Sequence, residues 1–205
     1  MLIRFGISDH CCGYTPMTCA DTFFEKSGFP VGVFQGFRAI ITQNYIEANV
    51  KWGVQHEASR LFTLAGGANS DSIMITGSNP VALKNRTLGY DGSGIEARIF
   101  RAPAYSGESA IILPRNPNDI NPVTSEVALY TDAVVTVVGT EVFAPAFLLG
   151  ATGNNSKGAV GAVVGQEKIL RPNTTYLLRL TNLDSQAMQV SAYISWYEGG
   201  LDLPL

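Results

Sequence analysis

From His56 to Leu64 the chain alternates. His56, Ala58, Arg60, Phe62 and Leu64 fall on one side of an extended backbone, and Glu57, Ser59, Leu61 and Thr63 fall on the other. The same period of two governs the end of the chain. Tyr176, Leu178 and Leu180 oppose Leu177, Arg179 and Thr181, and Val190, Ala192, Ile194 and Trp196 oppose Ser191, Tyr193, Ser195 and Tyr197. Between them, Ile95, Ala97 and Ile99 share one face of IEARIFRA. SIMIT, VALKNRTLGY, SAIILP, SEVALYT, AVVTVV and VFAPAFLLG read as further strands, separated by the turn-rich stretches GGANSDS, GSNP, DGSG and RNPNDINPVT. No helical pattern alternates with these strands, which disfavours a parallel α/β sheet. The last two strands read as a hairpin turning over Asn182 to Gln186. A hairpin alone does not hold together in water, so it needs a sheet beside it and another beneath it. Roughly eight or more short strands at this spacing predict an all-β fold, a jelly-roll-like β-sandwich over residues 53–205.

Residues 1–52 read differently. They carry all three cysteines and six of the ten phenylalanines. Phe23, Phe24, Phe29, Phe34 and Phe37 punctuate a run broken by Gly28, Pro30, Gly32 and Gly36, and neither helical nor strand periodicity fits it. A short helix after Thr18, with Asp21 in its first turn, is a weak signal. The mixture predicts an extended N-terminal arm whose five phenylalanines form an interface, laid across another surface or folded back on its own domain.

Composition narrows the chemistry. Charged residues make up 15% of the chain, against roughly 25% in ordinary soluble domains. A surface so poor in charge relies on Ser, Thr, Asn and Gly, or is covered by a partner. The net charge of −3 and the lack of a basic block argue against nucleic acid as a partner. No run of about 18 apolar residues predicts a membrane span. MLIRFGISDHCCGY has no apolar signal core, so Sec-type export is not expected, and Cys11, Cys12 and Cys19 are expected as reduced thiols.

No reactive constellation stands out, and the reading is of a protein that is not an enzyme and carries no cofactor. His10 sits in Asp9-His-Cys-Cys, but adjacent ligands rarely close a tetrahedral metal site. His56 and Glu57 are strand neighbours and face opposite sides, so they are not expected to act together. Gly153 and Gly158 have P-loop spacing, yet Ala159 replaces the required Lys. Asp91 and Asp119 lack a calcium-loop pattern and read as turn formers. Arg38, Arg60, Arg86, Arg98, Arg101 and Arg179 are expected on solvated strand faces, with interface anchoring as the alternative. Tyr193, Trp196 and Tyr197 read as core or subunit packing, with a sugar-binding platform as the alternative.

The segments ITGSNPVALKNRTLGYDGSGIEARIFRAPAYSG, RNPNDINPVTSEV and ILRPNTTYLLRLTNLDSQAMQVSAYISWYEG resemble tailed-bacteriophage virion proteins in the order of their motifs. The resemblance covers about residues 54 to 200 and points to jelly-roll head-decoration, or cement, proteins. It departs from their pattern in the RNPNDIN loop and has no counterpart for the first 50 residues. It implies a structural protein on the outer capsid surface of a virion assembled in the host cytoplasm. Its implied partners are the major capsid protein and further copies of itself, as a homotrimer or a dimer. The alternative is a tail or baseplate protein contacting host-surface glycan. A carbohydrate-active or metal-dependent enzyme is the rival from another class, weakened by the shortage of His and clustered acids. Fifty extended residues reach at most roughly 180 Å, enough to cross a neighbouring capsomer.

Overall fold

The computed structural model describes residues 31–34, 37–40, 45–107, 110–150, 162–163 and 167–199. The chain divides into two compact units, Met1–Ala48 and Asn49–Leu205. In the first, β1 (Val31–Phe34) and β2 (Phe37–Ile40) pair antiparallel, with Val31 opposite Ile40 and Phe34 opposite Phe37. Helix α1 (Tyr45–Lys51) follows, with Glu47 in its first turn and Lys51 in its last, each at the end the helix dipole favours. The sequence pattern did not point to this helix. The expected helix after Thr18 lies outside the described residues.

The second unit is a β-sandwich. Its main strands are β3 (Gln55–Leu64), β4 (Asn69–Ile75), β5 (Val81–Tyr90) and β6 (Gly94–Arg101). Three short strands come next, β7 (Ala104–Ser106), β8 (Ala110–Ile112) and β9 (Ala128–Thr131). Then come β10 (Val134–Val137), β11 (Thr140–Glu141), β12 (Ala146–Leu149), β13 (Ala162–Val163) and β14 (Lys168–Leu170). β15 (Thr175–Asn182) and β16 (Met188–Glu198) close the body. One sheet has the order β3-β16-β5, with β13 and β14 both pairing with the far edge of β5. The other runs β8-β9-β4-β15-β6, with β11 and β12 both on the far edge of β6. Every pairing is antiparallel. The long strands alternate between sheets along the chain. The order β3-β16-β5-β14 facing β4-β15-β6-β12 is that of a jelly roll, with β9 and β8 added beyond β4.

This topology corrects the closing hairpin. β15 pairs with β4 and β6, and β16 pairs with β3 and β5, so the two strands lie in opposite sheets and do not pair with each other. Alternation looks the same whether two strands share an edge or face one another, which is why periodicity could not separate the cases. The corner between them is fixed by Asn182, which is buried. Its Nδ2 donates to the carbonyls of Leu64, Ala65 and Gln186 at 3.1, 3.0 and 2.9 Å, while its Oδ1 accepts the Asp184 N–H at 2.7 Å. Two smaller boundaries also move. The last residues of GGANSDS belong to β4, and VFAPAFLLG is broken at Pro145, so that only Ala146–Leu149 is strand.

Two apolar clusters fill the space between the sheets. One gathers around Trp196, Met74, Leu83, Leu129 and Tyr176. The other gathers around Leu64, Tyr90, Ile95, Met188 and Val190. A third lies on the outer face of the larger sheet, where Ile73, Leu177 and Phe100 are covered by Tyr105, Val135 and Val138 from the β7–β10 ribbon and its flank. Among the described residues, no helix is long and apolar enough to cross a membrane.

Candidate functional site

Of the five arm phenylalanines, Phe23, Phe24 and Phe29 lie outside the described residues, as do His10 and the cysteines. Phe34 and Phe37 are register partners in the β1–β2 pair. The glycines of GAVGAVVG also lie outside.

The sandwich places the other singled-out residues definitely. His56 and Glu57 do face opposite sides. Glu57 accepts the Tyr193 hydroxyl at 2.8 Å, and its backbone exchanges hydrogen bonds with Arg115. His56 points inward beside Trp196, its ring 5.9 Å away, and 3.7 Å from Glu198 Oε1. Glu198 is a hub. It accepts the Trp196 indole N–H at 2.9 Å, the Glu126 N–H at 2.8 Å and the Ser125 hydroxyl. Burial pushes the His56 imidazole below its ordinary value of 6.5, and the Glu198 charge partly opposes that. The cluster pins residues 125 and 126 to the end of β16. Among the described residues, no three His, Cys, Asp or Glu side chains are arranged to hold a metal ion. Trp196 and Tyr197 are buried, so they offer no platform to a sugar.

The arginines depart most from expectation. Arg179 makes a bidentate pair with Asp71 at 2.8 and 2.7 Å, and Arg98 bonds Glu96 at 2.7 Å and Glu141 at 3.3 Å. Arg60 and Arg86 sit on the inner face instead. Arg60 is opposite Ala192, and Arg86 is opposite Ile194, both inward positions of β16. The cause at Arg86 is a β-bulge. Ser195 pairs with Asn85 but Trp196 pairs with Leu83, so β5 carries one extra residue. The bulge lets Val81 and Leu83 face inward before it, and Arg86, Leu88 and Tyr90 after it. The sequence held this signal, since the apolar positions of β5 switch from odd to even numbers between Leu83 and Leu88.

No family model and no curated protein matches this sequence.

The surface feature sequence reasoning missed is the loop from Leu113 to Val127. Two of its polar side chains, Asn116 and Asn118, are turned toward the protein. Asn116 Nδ2 donates to the carbonyls of Gly53 and Val123, and Asn118 Nδ2 donates to that of Lys51 at 3.1 Å. Asn118 Oδ1 accepts the N–H groups of Ile120 and Asn121, each at 3.0 Å, and the Val123 N–H reaches Gly53 O at 3.2 Å. Three of its apolar side chains, Leu113, Ile120 and Val123, are turned to solvent, while Val127 at its end is buried in the core. Ile120 is 88% exposed, Leu113 75% and neighbouring Trp52 68%. The loop is thus tied down by hydrogen bonds with Leu113, Ile120 and Val123 outward, an arrangement that suits a contact surface. The Asn-rich spelling RNPNDINP was a turn signal; that its amides would bind residues 51–53 could not be read from spacing.

Proposed function

We propose that this protein is a structural virion component that decorates a bacteriophage capsid and stabilises it by bridging major capsid subunits, working as a homo-oligomer. The observation that carries the reading is the pinned loop, which commits at least four side-chain amide donors and acceptors to holding Trp52, Leu113, Ile120 and Val123 in water. Such a patch is costly for an isolated protein and useful to one that lives against a partner. The jelly-roll body, the low charge content and the resemblance of residues 54–200 to head-decoration proteins support the same role. A cement protein needs no reactive site. It adds apolar area across subunit seams, on the scale of about 1,600 Å² for a specific contact, and repetition over a symmetric shell multiplies a modest affinity.

The test is reconstitution on heads that lack the protein, with mass spectrometry of separated heads and tails. The full chain should bind heads, Ile120→Asp should bind at least about tenfold more weakly, and a chain lacking residues 1–50 should lose binding. Recovery of the protein with tails alone would move it to the tail or baseplate. An Ile120→Asp variant that decorates heads at full occupancy would remove the loop from the interface.

A further inference from the structure

Between the Trp196 cluster and the Tyr90 cluster the sandwich does not close. A cavity of about 250 Å³ lies there, bounded by both sheets. Small side chains make it. Ala97 on β6 and Ala192 on β16 line it from opposite sheets. Each stands between larger inward neighbours, Ile95 and Ile99 on the one strand and Val190 and Ile194 on the other. Leu178 and Leu180 point inward from β15, and Ile194 from β16, yet all three are only partly buried although both strands are central in their sheets. At one pair of sheet edges the lining ends at Lys168 of β14 and Phe143 before β12. There the Lys168 ammonium lies 5.1 Å from the centre of the Phe143 ring, a contact that spans the two sheets. Rotating this long side chain opens a mouth without moving either sheet.

We propose that this cavity is a binding site for a compact uncharged apolar molecule, aromatic or alicyclic. The proposal does not depend on the virion role. At an interior packing density of about 0.75 the space takes on the order of 10 non-hydrogen atoms, which sets the size of the guest. Its charge follows from how the cations of the lining are already engaged. Arg60 donates to Ser70 Oγ, lies over the Phe62 ring at 4.0 Å and sits in the field of Asp71 and Asp132. Arg98 is paired with Glu96 and Glu141, and Arg179 with Asp71. Arg86 has a partner of its own, and Lys168 rests on Phe143. An anion would have to take one of these groups from its partner. A cation finds no Asp or Glu among the described residues of the lining. Either charge would give up its water without a matched counter-charge, whereas an uncharged apolar molecule has no such loss. What is left for a guest to touch is carbon, from Leu88, Ile99, Leu129, Leu178, Leu180 and Ile194. Space walled in this way holds water poorly and gains dispersion contacts when an apolar molecule fills it.

The probe is para-xylene, with para-toluate and para-methylbenzylammonium as its anionic and cationic counterparts. The full chain is refolded from denaturant to remove anything carried through purification, then titrated with its methyl resonances as the readout. Para-xylene should bind at least about tenfold more tightly than either charged probe. It should shift the methyl groups of Leu178, Leu180 and Ile194 in the unaltered chain, a readout that needs no variant to fold. Ala192→Leu, which fills the cavity, should abolish binding without lowering the unfolding temperature. Leu61→Ala, exposed on the other face of β3, should leave the affinity unchanged. A charged probe that binds as tightly as para-xylene, the absence of a saturable shift, shifts confined to other methyl groups, or a folded Ala192→Leu chain that still binds para-xylene would each overturn the proposal.

Discussion

His56 Nε2 lies 3.7 Å from Glu198 Oε1, and both side chains are withdrawn from solvent. Burial holds the imidazole below its ordinary 6.5, against the pull of the carboxylate, so the folded protein keeps His56 neutral where the unfolded chain would take a proton. The contribution is therefore intact above 6.5 and is lost as pH falls from 6.5 through the depressed folded value. Thermal unfolding followed between about pH 8 and pH 5 should show the midpoint falling on acidification, and His56→Gln should flatten that step. Glu126 and Glu167 do not confuse the window, because hydrogen bonds from Ser78 hold the first, and those from Lys84 and Tyr197, outweighing burial, hold the second, below the ordinary 4.5. A midpoint that rises on acidification would contradict the assignment.

Asn182 fastens the crossing from β15 to β16 by donating to three carbonyls from a buried amide. Asn182→Ala leaves those acceptors without their donor and should cost about 2–4 kcal/mol. Asn182→Asp keeps the shape but replaces the donor with an acceptor facing three carbonyl oxygens, and it should cost at least as much. Urea unfolding measures both. An Asp variant within about 0.5 kcal/mol of the unaltered protein would mean the amide does not hold the corner.

The sandwich was legible in the sequence because burial imposes a period of two, and Val190, Ala192, Ile194 and Trp196 do share the inner face as that period requires. Sheet membership was not legible. The same alternation serves β15 and β16 as edge neighbours or as opposing layers, and only the partners of each strand decide. Arg86 marks a second limit. Its inward turn follows from one extra residue in β5, which strict alternation runs past although the parity switch from Leu83 to Leu88 records it. The contact surface at Ile120 escaped for a different reason. An Asn-rich loop reads as solvated, and the bonds that turn its amides inward run to residues more than sixty positions away.

Leu177 tests the layer that period-two reasoning left out. It faces away from the space between the sheets and is nonetheless fully buried, because Tyr105, Val135 and Val138 cover it. Leu177→Ala should therefore cost about 2–5 kcal/mol, as for a core residue. Val137, exposed on the same ribbon, should tolerate Ala within about 0.5 kcal/mol. Equal, small effects at both positions would mean the ribbon does not cover the sheet.

Gly53 joins the loop to the body. Its φ is +73°, a region open to glycine and strained for other residues, and a Cβ there would stand 2.3 Å from the Asn121 carbonyl oxygen. That contact is backbone, so it cannot be relieved by rotating a side chain. Gly53→Ala should release the loop from Gly53 O, the acceptor for both Asn116 Nδ2 and the Val123 N–H. Gly67 is the matched control, since its φ of +65° carries similar strain but a Cβ there meets open space. Gly67→Ala should cost only about 1 kcal/mol and leave the loop seated. Gly53→Ala should cost more, expose the Val123 amide to hydrogen exchange and open residues 115–123 to protease. Because the body beneath stays folded, the same variant should weaken binding to heads while exchange at Leu83 and Trp196 remains slow; unchanged protection at Val123 would show that the loop is held by something other than this seat.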